Sequence, residues 1–161
     1  MANARIQPGR ALNVIPSDNN DIPFPLVATS GANSFVSVNQ LVDSSANFYA
    51  DNVHQGDIVY NISALEAATV VSVDAPDTIT LNADIFLGTP ENYVIYQTGA
   101  MSLGNQVCVL YIGTGGDLSV TTADDDTKII FANVQDGTFF PVQVKRVNSF
   151  GTTAGDIVAL W

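Results

Sequence analysis

Apolar and polar residues alternate in short runs along most of the chain, and clusters of Gly, Pro, Asn, Asp and Ser separate the runs. This period-two pattern predicts β-strands joined by turns, since successive side chains on a strand point to opposite faces. Residues 141–161, PVQVKRVNSFGTTAGDIVALW, show it best. Val142 and Val144 alternate with Gln143 and Lys145, giving one apolar and one wet face. The alternation slips at Lys145-Arg146-Val147, which predicts a bulge or the end of pairing. Residues 148–155 are a Gly, Ser, Thr and Asn loop. Then Ile157-Val158-Ala159-Leu160-Trp161 forms a nearly continuous apolar run. A chain end frays unless tied down. Burying each large apolar side chain stabilises by roughly 1.5–3 kcal/mol, so this run is expected to close the fold as a strand inside a sheet.

The rest of the chain reads the same way. Residues 10–15 suit one short strand in a Pro-rich segment, followed by the turn-rich loop 16–21 and the extended Ile22-Pro23-Phe24-Pro25. That segment suits either an arm clasping another subunit or an edge packed within its own domain. Residues 26–34 read as a small-residue linker. Strand candidates follow at 34–38, 58–60, 67–73, 78–81 and 93–96, with 41–53 as a helical turn or an ordered loop and 84–86 leading into the turn around Gly88 and Pro90. Short strands at this spacing predict a small antiparallel barrel or sandwich. After a polar connector at 97–106, strands resume at 107–112, 118–121, 128–132, 139–147 and 156–161. Gly113-Thr114-Gly115-Gly116 and Asp136-Gly137 are hairpin signals, and residues 123–127 form a third turn. No window carries a capped helical period. The expected class is all-β.

Composition sharpens the picture. Hydrophobic residues make up 47% of the chain, enough for a core, but charged residues only 13%, about half the usual share. Much of the surface must therefore be small and polar, or covered by partners. The net charge is −11, with only five Lys and Arg. A phosphate-tracking groove needs clustered bases, and Lys145-Arg146 is the one basic pair, so nucleic acid is not an expected partner. No apolar run approaches a membrane span, and no leader precedes Met-Ala-Asn-Ala-Arg; a protein made in a cytosol is expected. The single Cys108 allows no intrachain disulfide and reads as a small buried hydrophobe.

Candidate chemistry is sparse. His54 is the only histidine and has no nucleophile at a recognisable spacing; a wall-polymer hydrolase would have to use His54 or Asp57. The Gly113–Gly116 loop lacks the Lys-Ser or Lys-Thr of a phosphate cradle. Asp124-Asp125-Asp126 could hold a hard cation, although consecutive carboxylates in a tight turn diverge. Tyr49, Tyr60, Tyr93, Tyr96 and Tyr111 could supply a sugar-stacking platform, with core positions as the plainer reading. No catalytic, cofactor-binding or metal residue is assigned, and no enzyme activity is expected.

Three segments carry a resemblance. Leu110-Tyr111-Ile112-Gly113-Thr114-Gly115-Gly116-Asp117-Leu118-Ser119-Val120-Thr121, then Gly137-Thr138-Phe139-Phe140-Pro141-Val142-Gln143-Val144-Lys145-Arg146-Val147, and then residues 151–161 are similar to signatures in virion structural proteins of tailed bacteriophages. Head-spike base proteins of phages and gene-transfer agents are the named relatives. In these a Pro-Ser-Asp segment runs quickly into the Gly-Thr-Gly-Gly-Asp turn. Here about ninety residues separate Pro16-Ser17-Asp18 from that turn. The resemblance therefore implies a discontinuous, jelly-roll-like antiparallel β-sandwich built from residues 1–26 and 99–161, interrupted by an inserted small β-barrel at 27–98. The insert itself resembles a β unit of phage structural proteins through Gly56-Asp57-Ile58-Val59-Tyr60-Asn61 and Tyr93-Val94-Ile95-Tyr96. The resemblance implies a virion location, as head decoration, spike base or tail part. It implies other virion proteins as partners, the major capsid protein among them, together with homo-oligomerisation. A glycan- or host-surface-binding spike module is the alternative.

Overall fold

The computed structural model describes residues 8–98, 107–124 and 126–161. Thirteen strands and no helix occur among them: β1 (Ala11–Asn13), β2 (Val27–Ala32), β3 (Phe35–Ser37), β4 (Gln40–Val42), β5 (Ile58–Asn61), β6 (Glu66–Ala75), β7 (Thr78–Leu81), β8 (Asn92–Tyr96), β9 (Cys108–Thr114), β10 (Gly116–Thr122), β11 (Lys128–Val134), β12 (Thr138–Val147) and β13 (Gly155–Leu160). The all-β expectation holds. The strands form two antiparallel sheets, ordered β1-β13-β9-β12-β10-β11 and β2-β8-β5-β6-β7-β4-β3.

The first sheet joins the two ends of the sequence. β13 lies between β1 and β9, with Leu12 opposite Ala159 and Ile157 opposite Ile112. The final apolar run is thus an interior strand. Its Ile157 and Ala159 enter a core with Leu110, Ile112, Leu118, Val120, Phe140 and Val144. The ring of Trp161 packs edge-on against Phe24 at 5.6 Å. The bulge expected near Lys145 is present: Thr121 faces Arg146 while its neighbour Thr122 faces Val144, leaving Lys145 as the extra residue. Between β1 and β2 the chain runs beside its own sheet. The N–H groups of Val14, Ser17 and Ile22 donate to the carbonyls of Ile157, Val147 and Lys145. The described part of the Pro-rich segment is therefore packed on its own fold.

The second sheet has a separate core of Leu41, Phe48, Val59, Val70, Ile79, Phe86, Tyr93 and Ile95. A smaller cluster bridges the sheets, where Ile15 packs with Ile58, Tyr60 and Tyr96. Beside it the buried Asn20 amide donates to Ala67 O at 3.0 Å and accepts from Thr69 Oγ1 at 2.6 Å.

Several expectations need correction. The second sheet is not closed into a barrel: β2 and β3 are its two ends and no ladder joins them. Residues 27–32, read as linker, are strand β2, because main-chain pairing with β8 makes up for their small side chains. Leu41 and Val42, read with the segment after them, belong to strand β4; the rest, 43–57, is an ordered loop in which the Asp51 N–H donates to Asn47 O at 2.9 Å, closing a single turn. Neither the Gly113–Gly116 nor the Asp136-Gly137 turn closes a hairpin. β12 separates β9 from β10, and β10 separates β11 from β12. The glycines serve close backbone approach instead. A Cβ on Gly115 would lie 2.7 Å from Asp136 Oδ1, and one on Gly116 2.7 Å from Ala154 N. Of the three turn signals in this half, only residues 123–127 join paired strands, β10 and β11.

Candidate functional site

A groove of about 460 Å³ lies between β2 and the loop after β4, lined by Thr29 to Ala32, Asp43, Ser45 to Asn47, Asp51 and Tyr93. Asp43 and Tyr93 are both buried at its floor. The Tyr93 hydroxyl donates to Asp43 Oδ2 at 2.8 Å, and Ser45 N–H donates to Oδ1 at 2.9 Å. Burial raises the Tyr93 hydroxyl well above the ordinary phenol range, and its bond to Asp43 adds to this. Gly31 makes room for the pair: a Cβ there would lie 2.6 Å from Asp43 Oδ2 and 2.9 Å from the Tyr93 oxygen. The lining offers carboxylate, hydroxyl and amide groups and contains no Lys, Arg or His. Its lining groups can donate and accept hydrogen bonds, and it holds two carboxylates, Asp43 and Asp51. Sequence reasoning missed this pairing, since Gly31, Asp43 and Tyr93 meet only through the order of the strands.

The residues singled out from sequence fall elsewhere. His54 is exposed, and its main-chain N–H, rather than its ring, donates to Asp57 Oδ2 at 2.8 Å. Asp57 is wholly buried and also accepts from Thr98 N–H at 2.8 Å, so its carboxylate fastens the end of β8 to the turn before β5. The five tyrosines do not form one platform. Tyr60, Tyr93 and Tyr96 are buried, while Tyr49 is exposed in the loop after β4 and Tyr111 is exposed on β9. Cys108 is buried as expected, and burial pushes its thiol up to about 12. Asp125 lies outside the described residues. Its neighbour Asp126 pairs with Lys145, and no cluster of three or more metal-binding side chains occurs among the described residues.

The four described bases are all engaged within the chain. Lys128 and Arg146 meet Asp18 and Asp21 at 3.5 and 2.7 Å, Lys145 meets Asp126, and Arg10 lies over the Phe24 ring at 4.9 Å. No described helix exists to cross a membrane.

The fold leaves several large apolar side chains exposed. The terminal strand β11 exposes Ile129 and Ile130, and the terminal strand β3 exposes Phe35 and Val36. Tyr111 and Phe139, cross-strand neighbours on the first sheet, are also exposed, as is Phe150. Comparison of the chain with protein-family models, with curated proteins and with solved structures finds no match.

Proposed function

We propose that the chain is a structural component of a tailed-phage particle, a head decoration or vertex-spike base protein that assembles through its β surfaces. The observation that carries this reading is the pair of open sheet edges, β3 and β11, with Phe35, Val36, Ile129 and Ile130 uncovered. Unpaired edges with apolar side chains are a liability in a lone protomer, and a partner that covers them removes it. The low charge content suits interface cores, which are depleted in charged residues. The resemblance of 110–121, 137–147 and 151–161 to virion proteins supplies the kind of assembly. On this reading the body is a jelly-roll-like sandwich of residues 1–26 and 99–161 carrying an inserted module at 27–98. Copies repeat with the symmetry of the shell, beside the major capsid protein, in a virion assembled in a bacterial cytoplasm. The reading includes no enzymatic activity, nucleic-acid contact or membrane contact. The intrachain engagement of the four described bases supports the second of these. Quantitative mass spectrometry of purified particles tests the proposal: many copies per particle are expected, and absence from the particle removes it.

A second reading, a glycan-binding spike module, draws on the polar groove at Asp43 and Tyr93. A glycan array probed with the protein is its test, and binding that survives Asp43→Ala would exclude this groove as the site.

A further inference from the structure

We propose that the free edge of β3 receives an extended segment of a partner protein whose apolar stretch is flanked by lysine or arginine. The inference builds on the reading of the chain as part of an assembly, and it adds where one partner docks and what its chemistry is.

The first observation is a core row that stops uncovered. Val73, Ile79, Leu41 and Val36 are successive partners across β6, β7, β4 and β3. Leu41 and Ile79 are 0% exposed, whereas Val36 at the end of the row is 51% exposed. Phe35, on the opposite face of β3, is 61% exposed. Since β3 ends the sheet, its outward N–H and C=O groups offer a ladder for one more strand.

Further apolar surface frames this edge. The Asn33 amide donates to Phe35 O at 3.3 Å and to Gly88 O at 2.8 Å, which holds the turn containing the exposed Leu87 beside the start of β3. Val38, also exposed, sits at the far end of the strand in the turn to β4. An added strand would cover Val36 on one face and Phe35 on the other.

Charge selects the occupant. Eight of the 16 acids lie in residues 27–98, and all five Lys and Arg lie outside, so the net charge of −11 divides into −8 for this stretch and −3 for the rest. Asp84 accepts from Asn39 N–H at 3.3 Å just beyond β3. Toward the other end, the Glu91 carboxylate accepts from the Asn61 amide at 3.0 Å and lies beside Gly88, in the turn that Asn33 holds against β3. A second copy docking through this face would set −8 against −8. A segment with basic residues on both sides of an apolar centre matches the edge in shape and in sign.

The test uses the full chain and two fluorescent peptides with the same alternating valine–threonine centre, one flanked by lysines and one by glutamates, read by anisotropy. The lysine peptide is expected to bind saturably and to weaken as salt rises, with the glutamate peptide weaker by about tenfold or more. Phe35→Asp and Leu87→Asp add negative charge, so a purely electrostatic attraction would tighten with them, whereas docking on the edge is weakened by either. Ile130→Asp, on the edge of the other sheet, is expected to change nothing. Equal affinity for the two peptides, no binding of the lysine peptide, or tighter binding by Phe35→Asp overturns the proposal. A concentration-dependent dimer in sedimentation that Phe35→Asp abolishes overturns it in favour of a second copy. The protein found in purified particles together with a lysine peptide that does not bind would leave the structural reading standing and remove this docking site.

Discussion

The main-chain N–H of Gln97 donates to the carbonyl of Leu26 at 2.8 Å, so the chain leaves for the second sheet and returns from it at one place. β2 begins one residue after Leu26 and β8 ends one residue before Gln97, with Val27 opposite Tyr96. The first sheet takes no strand from the stretch between them. Its own core is drawn from Leu12 to Ile22 and from Cys108 onward.

Joining Leu26 to Gln97 through a short glycine–serine bridge is therefore expected to leave the first sheet folded. Far-UV circular dichroism should retain a strand spectrum, and Cys108 should stay protected from thiol reagents. The shortened protein should be less stable, because Ile15 loses Ile58, Tyr60 and Tyr96, a loss on the order of 1.5–3 kcal/mol for one large apolar side chain. A disordered product would contradict the separation of the two cores.

The Asp43–Tyr93 pair makes a second prediction. Tyr93→Phe removes the donor to a buried carboxylate, which is expected to cost about 1–3 kcal/mol in urea unfolding. Gly31→Ala would place a methyl group 2.6 Å from Asp43 Oδ2 and should destabilise by a similar amount through displacement of the pair. Because both substitutions act on one contact, the double variant should cost less than the two single losses added together. Full additivity would mean that Gly31 does not act through Asp43 and Tyr93.

Stability should fall on the alkaline side. Burial raises Cys108 from 9.0 to about 12, and Tyr60, Tyr93 and Tyr96 are raised above 10.0 for the same first reason. Each folded value exceeds the unfolded one. The contribution is therefore whole below the unfolded value and is lost as pH climbs toward the folded one. Urea midpoints should hold to about pH 9 and then decline, and Cys108→Ala should delay the onset. A midpoint flat through the alkaline range would contradict the burial of these groups.

On the acid side Asp18 carries the opposite sign. Its carboxyl is lowered from 3.8, first by the Ser149 hydroxyl, and also by Phe150 N–H and by Lys128. That contribution is present above 3.8 and is lost as pH falls through the lower folded value. Asp18→Asn should therefore lower the urea midpoint at neutral pH and match the parent once Asp18 is protonated. A gap between the two proteins that persists in strong acid would assign the loss to packing instead.

How much of this was legible in the sequence depends on the kind of signal. Alternation placed most strands, and the slip at Lys145 marked a true bulge, because both are local properties of side-chain period. β2 escaped notice because Ala28, Ser30 and Gly31 carry no apolar alternation, and its order comes from pairing with β8, sixty-odd residues away. The glycines at 115 and 116 look like hairpin residues in sequence, yet they serve the approach of Val134, Asp136, Thr153 and Ala154, which no local pattern encodes. The groove depended wholly on strand order. His54 and Asp57, neighbours in sequence, do meet, but through a main-chain N–H that fastens a loop.

The central claim is that the apolar edges of this chain are covered by neighbours in a phage particle. Quantitative mass spectrometry of gradient-purified particles tests it most directly. Many copies per particle, in a fixed ratio to the major capsid protein, is the result the account predicts; particles free of the chain, with the protein left as a soluble monomer in the lysate, would contradict it.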